Sequence, residues 1–104
     1  MSETYTKAQF LKATDIVTKL PKGGPIVLPT DDKLQFYGLY KRGMEETVKA
    51  PGMFDFEGKA KLKAYEELSD VSAEQAWTRY VAKLLPLLEK AGDTESIEAI
   101  KNAA

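Results

Sequence analysis

Leu34-Gln-Phe-Tyr-Gly-Leu-Tyr-Lys-Arg-Gly43, followed by Pro51-Gly-Met-Phe-Asp-Phe-Glu-Gly-Lys-Ala-Lys-Leu-Lys-Ala-Tyr65, is the stretch on which the reading of this chain turns. Leu34, Tyr37, Gly38 and Lys41 lie along one side of a helix over about 31–42. Thr30-Asp-Asp supplies its N-cap and first-turn acids, and Gly43 its stop. Leu62, Tyr65 and Leu68 recur at spacing three in a second helix over about 58–68. The loop over 43–57, with Pro51-Gly52, separates the two.

Working outward, Thr6-Lys-Ala-Gln9 has capping-box spacing. Phe10, Ala13, Ile16, Val17 and Leu20 then predict a helix over about 7–20, stopped by Pro21 and Gly23-Gly24-Pro25. Residues 21–29 read as a loop whose Ile26-Val27-Leu28 run packs on the helices. Ser72-Ala-Glu-Gln75 is a second capping box. It opens a helix carrying Ala76, Trp77, Tyr80, Val81, Leu84 and Leu88, with a kink expected near Pro86. Gly92-Asp93-Thr94 breaks it, and Ile97 and Ile100 predict a short terminal helix over about 95–102. Four or five helices without a convincing strand make an all-α bundle.

The composition narrows the chemistry. The 104 residues are read as a single domain over 1–104. With no cysteine, disulfides, thiolate metal sites and a cysteine nucleophile are excluded, and with no histidine the commonest general base and metal ligand are missing. Fifteen basic against 16 acidic residues, net −1, give no footprint for nucleic acid. The first residues are polar, and no apolar run approaches the roughly 20 residues that span a bilayer. The expectation is a cytoplasmic protein without a removed signal or stable membrane insertion, and not an enzyme.

Within the opening stretch, Tyr37 and Lys41 are four apart and Tyr40 is three from Tyr37. This spacing sets phenols beside an ammonium on neighbouring turns. Both groups can donate to one phosphate, and a tyrosine ring can stack on a purine. A solvated lysine beside a core tyrosine is the ordinary reading of the same spacing. Lys59, Lys61 and Lys63 do not share one helix face; Lys61 lies four before Tyr65. Lysines at a helix start oppose the macrodipole and hint at an anionic partner. Trp77 reads as core, while the Tyr80 hydroxyl needs a polar partner or water.

Tyr37-Gly-Leu-Tyr-Lys41 and then Pro51-Gly-Met-Phe-Asp-Phe-Glu-Gly-Lys-Ala-Lys61 resemble the signature of the acyl-CoA-binding protein family. Ser72-x-Glu-x-Ala76-x-x-x-Tyr80-Val81 and Phe10-x-x-Ala13-x-x-x-Val17-x-x-Leu20 match as well, so the resemblance covers about residues 8–90. It implies a four-helix bundle with its core over about 6–90 and residues 91–104 as a short C-terminal helical extension. It also implies binding of medium- to long-chain fatty acyl-CoA esters by an intracellular carrier and pool former, with no cofactor. The protein would be a monomer, in transient contact with acyl-CoA-using enzymes or membranes. By position, Tyr37 and Lys41 would hold the 3′-phosphate of CoA and Tyr40 would lie on the adenine. Lys61 would contact the CoA and cover part of the acyl chain. Tyr80 would close the headgroup site, and Thr14 and Leu34 would line the groove.

The chain departs from the family pattern in places. A helix 1 lysine near Thr18 is absent. The loop between Arg42 and Pro51 is shorter, that from Pro21 to Pro29 is longer, and Leu62 replaces a common tryptophan. These changes bear on phosphate contacts and chain-length preference more than on the basic activity. Each buried methylene contributes about 0.8 kcal/mol, so a 16-carbon tail would supply roughly 10 kcal/mol before the costs of binding. The alternative is a helical interaction module whose aromatic groove takes a partner helix, motivated by Ile97 and Ile100.

Overall fold

A computed structural model describes residues 4–21 and 23–103. Residues 1–3, Lys22 and Ala104, expected in the polar N-terminus, the 21–29 loop and the C-terminal extension, lie outside the described residues. Five helices follow in order: α1 (Lys7–Thr18), α2 (Thr30–Gly43), α3 (Phe56–Glu66), α4 (Ala73–Ala91) and α5 (Thr94–Lys101). No strand occurs among the described residues. Ile26 and Leu28 pack against the core from the loop, while Val27 is exposed.

Local chemistry sets the boundaries. Both capping boxes form. Thr6 Oγ1 accepts from the Gln9 N–H at 3.2 Å and Gln9 Oε1 accepts from the Thr6 N–H at 2.9 Å. Ser72 and Gln75 repeat the exchange at 3.1 and 3.0 Å. α1 ends at Thr18 rather than Leu20: the Lys19 N–H is shared between the Asp15 and Ile16 carbonyls, and the Leu20 N–H bonds the Val17 carbonyl only three residues behind. Thr30 does not cap α2. The N-cap is Pro29, which has no side-chain donor or acceptor, and Thr30 is already helical. α3 starts two residues earlier than periodicity predicts, because Asp55 caps it: its Oδ1 accepts from the Gly58 N–H at 2.9 Å. α4 runs unbroken through Pro86.

α4 lies against α1, α2 and α5, whereas α3 touches α2 alone among the helices. The buried cluster joins Phe10 and Ala13 of α1, Phe36 and Leu39 of α2, five residues of α4, and Ile97 and Ile100 of α5. α3 contributes no buried residue. Ile97 and Ile100 point inward, and α5 packs on α1 and α4. The segment read as an extension therefore closes one side of the core.

Two contacts fix α2 for its task. At Gly38 the helix meets α3 so closely that a Cβ would stand 2.9 Å from the Ala64 carbonyl oxygen and 3.0 Å from Leu68 Cδ1. At the other contact, Trp77 of α4 is half-buried rather than fully enclosed, and its Nε1–H donates to the Gly43 carbonyl at 2.9 Å. That bond satisfies one of the orphan carbonyls at the end of α2.

Candidate functional site

The site grows from one face of α2. With roughly 100° between successive residues, Lys33, Phe36, Tyr37 and Tyr40 gather on a single side of the helix. They line a hollow of about 240 Å³ together with Thr14, Val17 and Thr18 of α1, Leu28 of the loop and Tyr80 of α4. Four of the predicted residues, Thr14, Tyr37, Tyr40 and Tyr80, thus meet there. Val17, Leu28 and Phe36 make part of the wall apolar. The Thr14 hydroxyl donates to the Leu11 carbonyl at 2.8 Å.

Tyr80 is the floor. It is 3% exposed and wedged edge-on between Phe10 and Phe36, with ring centres 5.2 and 4.9 Å away. Burial pushes its phenol above the ordinary value, with a smaller push from Tyr40, so the hydroxyl is a neutral donor at neutral pH. No hydrogen bond engages the phenols of Tyr37, Tyr40 or Tyr80 among the described residues, and no buried side-chain polar atom there is unsatisfied. Three tyrosines therefore line one hollow with unused hydrogen-bonding capacity.

Two ammonium groups converge beside it. Lys41 Nζ lies 5.7 Å from the Tyr37 ring centre and 5.8 Å from that of Tyr40. Lys61 Nζ, from α3, lies 5.3 Å from the same Tyr37 ring. Tyr37 and Lys61 also line a neighbouring hollow of about 560 Å³, walled by Lys49, Pro51, Gly52, Asp55 and Gly58. The Pro-Gly loop is thus part of the wall, as well as a spacer.

Each of these lysines holds a carboxylate. Glu46 Oε1 is 2.8 Å from Lys41 Nζ, and Glu57 Oε1 is 3.2 Å from Lys61 Nζ. The hydrogen bond to Glu46 raises the Lys41 pKa above its ordinary value against the opposing effect of burial, so the ammonium is charged at neutral pH. Glu57 lies four residues before Lys61, a spacing visible in the sequence. Glu46 gave no such signal. It reaches Lys41 through the turn that ends α2, where Glu45 takes φ 57° and the Glu46 N–H bonds back to the Lys41 carbonyl at 2.9 Å.

Leu34 falls elsewhere. It sits round the helix from Tyr37 and Tyr40, and lines a separate hollow of about 730 Å³ with Leu39, Ala60, Ala64 and Leu68. That hollow also has Lys63, Arg79 and Lys83 on its wall. A larger hollow, about 920 Å³, lies between the N-terminal segment and α4 and contains none of the predicted residues. Size alone would thus point away from the paired lysines. We place the candidate site at the lysines and phenols, because they supply convergent charge and unused donors. Sequence reasoning missed Lys33 on the wall and the two carboxylates. Among the described residues, no group of three or more Asp or Glu side chains is placed to hold a metal.

α-Helices around a phenol-lined hollow, with lysines from two helices converging on one tyrosine, define a small helical binding protein for an anionic ligand. A family model described as "Acyl CoA binding protein" matches residues 7–84. The chain belongs to the acyl-CoA-binding protein family. It is 33% identical over 93 residues to acyl-CoA-binding protein homolog 3 of Caenorhabditis elegans, spanning 88% of this chain and 80% of that one. It is 31% identical to acyl-CoA-binding domain-containing protein 5 of Bos taurus, of which it spans only 18%. Among solved structures, ACBP from Moniliophthora perniciosa superposes with a TM-score of 0.88 at 39% identity, covering 97% of this chain and all of that one. Acyl-CoA-binding protein 2 of Oryza sativa gives 0.68 at 30% identity, over 83% of this chain and 93% of that one.

Proposed function

We propose that this protein binds medium- to long-chain fatty acyl-CoA esters and serves, as a cytoplasmic monomer, to carry and pool them without turning them over. The observation that carries the reading is the convergence of Lys41 and Lys61 on Tyr37 beside a hollow with both phenolic and apolar walls. A phosphate entering there would take over the ammonium groups from Glu46 and Glu57, forming charge-assisted hydrogen bonds. Tyr37 and Lys41 would hold the 3′-phosphate, Tyr40 would lie against the adenine, and Tyr80 would donate from below. Lys61 would span the CoA and the start of the acyl chain. Thr14 would line the groove, and Leu34 the separate hollow behind α2. Membership of a binding-protein family supports a carrier, and the lack of His and Cys leaves few groups for thioester chemistry. The cytoplasmic assignment rests on a chain without cysteine. The interaction-module alternative loses its motive, because Ile97 and Ile100 are buried within this chain.

Calorimetric titration with palmitoyl-CoA, CoA and palmitate tests the proposal. Tight binding is expected for the thioester alone; equal binding of all three, or of none, would refute it. Lys41→Ala should weaken thioester binding by about 10- to 100-fold, the range expected for one charge-assisted contact. Its thermal midpoint should barely move, because the Lys41–Glu46 pair is partly exposed. Unchanged affinity would remove Lys41 from the site.

A further inference from the structure

The loop that walls the Lys61 hollow also displays three of the four most exposed large apolar side chains among the described residues. Met53, Phe54 and Phe56 are 76, 82 and 74% exposed. They are consecutive but for Asp55, which is occupied in capping α3. Single exposed apolar residues are ordinary, whereas three together mark a surface with a use.

The presentation is built. The Asp55 N–H bonds the Gly52 carbonyl at 3.1 Å, and the Phe56 N–H bonds the Phe54 carbonyl at 3.2 Å. Lys59 Nζ donates to the Met53 carbonyl at 2.7 Å and lies 5.6 Å from the Phe56 ring centre. These bonds hold the backbone in a turn that sends the apolar side chains outward.

Charge selects the occupant. From Lys49 to Lys63 there are four lysines and two carboxylates, in a chain of net charge −1. Of the two carboxylates, Asp55 serves as a cap and Glu57 pairs with Lys61. Lys49 and Lys63 have no ion-pair partner among the described residues. Aromatic and thioether side chains with Lys59 beside them and Lys49 on the adjoining wall suit the boundary of an anionic bilayer, where the rings enter the interfacial layer and the ammonium groups meet the headgroups. A second copy of this chain fits less well, since a two-fold contact would set the same cationic segment against itself.

We propose that the Met53–Phe56 turn is a reversible docking element for an anionic lipid surface, with Lys49, Lys59 and Lys63 as its headgroup contacts. Pro51, Gly52 and Asp55 belong at once to this loop and to the hollow that holds Lys61 and Tyr37. Docking through the loop would therefore bring that hollow to the lipid boundary. The inference does not depend on the identity of the ligand.

The test is flotation of the full chain with vesicles of phosphatidylcholine alone or with roughly 30% phosphatidylserine. The wild type is expected to float with the anionic vesicles, and poorly with neutral ones or at about 1 M salt. Phe54→Ser with Phe56→Ser should lower flotation by about tenfold or more, with helicity retained. Palmitoyl-CoA affinity without vesicles should be the same in both proteins. If the double variant loses helicity, Met53→Ser, which lies outside the helix, carries the comparison. Absence of wild-type flotation, equal binding to both vesicle types, or equal flotation of the variants would overturn the proposal. A wild-type dimer that the substitutions dissolve, without flotation, would assign the surface to a second copy and overturn it as well. Because affinity is read without vesicles, failure of acyl-CoA binding and failure of docking are seen separately.

Discussion

α3 and α4 both pack on α2, yet they have opposite roles. α4 has five buried residues in 19, and α3 has none in 11. α4 reaches three other helices; α3 leans on α2 alone. The difference separates stability from recognition. Burying apolar area in α4 holds the bundle, while α3 spends its surface on Lys61, the loop wall and exposed charge. Its hold on α2 is as extensive as that of α4 but encloses none of its own residues; it includes the close approach at Gly38, and Arg42. The Arg42 guanidinium lies 3.7 Å from the Tyr65 ring centre, and its Nη2 donates to the Tyr65 carbonyl at 2.9 Å. A helix that buries none of its residues and packs on one neighbour is expected to open locally before the rest unfolds.

The largest expected effect is on the α4 side. Leu84 is wholly buried in the central cluster. Leu84→Ala should cost about 3 kcal/mol by lost transfer energy and the cavity left behind. Denaturant unfolding should show that loss as one cooperative transition. A change under about 1 kcal/mol would mean that the core collapses around the site, and that α4 is not the hub its burial indicates.

Gly38→Ala probes the α3 side. Alanine suits a helix interior better than glycine by about 1 kcal/mol, so an exposed site would gain. Here the new methyl would meet the Ala64 carbonyl oxygen at 2.9 Å, and backbone cannot rotate out of the way as a side chain can. Overpacking costs of roughly 1–3 kcal/mol outweigh the gain. We expect a smaller global loss than for Leu84→Ala, with faster amide exchange concentrated in α3. Uniform exchange through all five helices would show that α3 is as firmly held as α4, and would erase the contrast.

Much of this contrast was legible in the sequence, for definite reasons. Both capping boxes are local, with donor and acceptor three residues apart, and both formed. The α4 stripe through Tyr80, Val81, Leu84 and Leu88 is strongly periodic because one face is buried. α3 also shows a spacing of three in Leu62, Tyr65 and Leu68, but no residue within it is buried, so the same pattern overstated its packing. Spacing brought Tyr37, Tyr40 and Lys41 together. It could not reveal that Leu34 lines another hollow, since that depends on how α2 is rotated against α1 and α3. The depth of Trp77 is likewise a property of where α2 ends. Glu46 was hidden for a related reason: it meets Lys41 through a turn defined by one unusual backbone angle.

That angle gives the smallest predicted effect. Glu45, at φ 57°, occupies the left-handed position after α2, where a Cβ crowds the following carbonyl by about 1–2 kcal/mol and glycine is the usual residue. The two bonds it permits, Glu45 N–H to the Arg42 carbonyl at 3.1 Å and Glu46 N–H to the Lys41 carbonyl at 2.9 Å, use only backbone. Glu45→Gly keeps both and removes the crowding, against the greater freedom glycine regains on unfolding. The balance should be a gain of about 0.5–1 kcal/mol, read as a rise in the thermal midpoint. Acyl-CoA affinity should hold, because Glu46 and Lys41 keep their places. A lower midpoint would show that the Glu45 carboxylate stabilises the end of α2 by more than its backbone strain costs, despite lying at the negative end of the helix dipole.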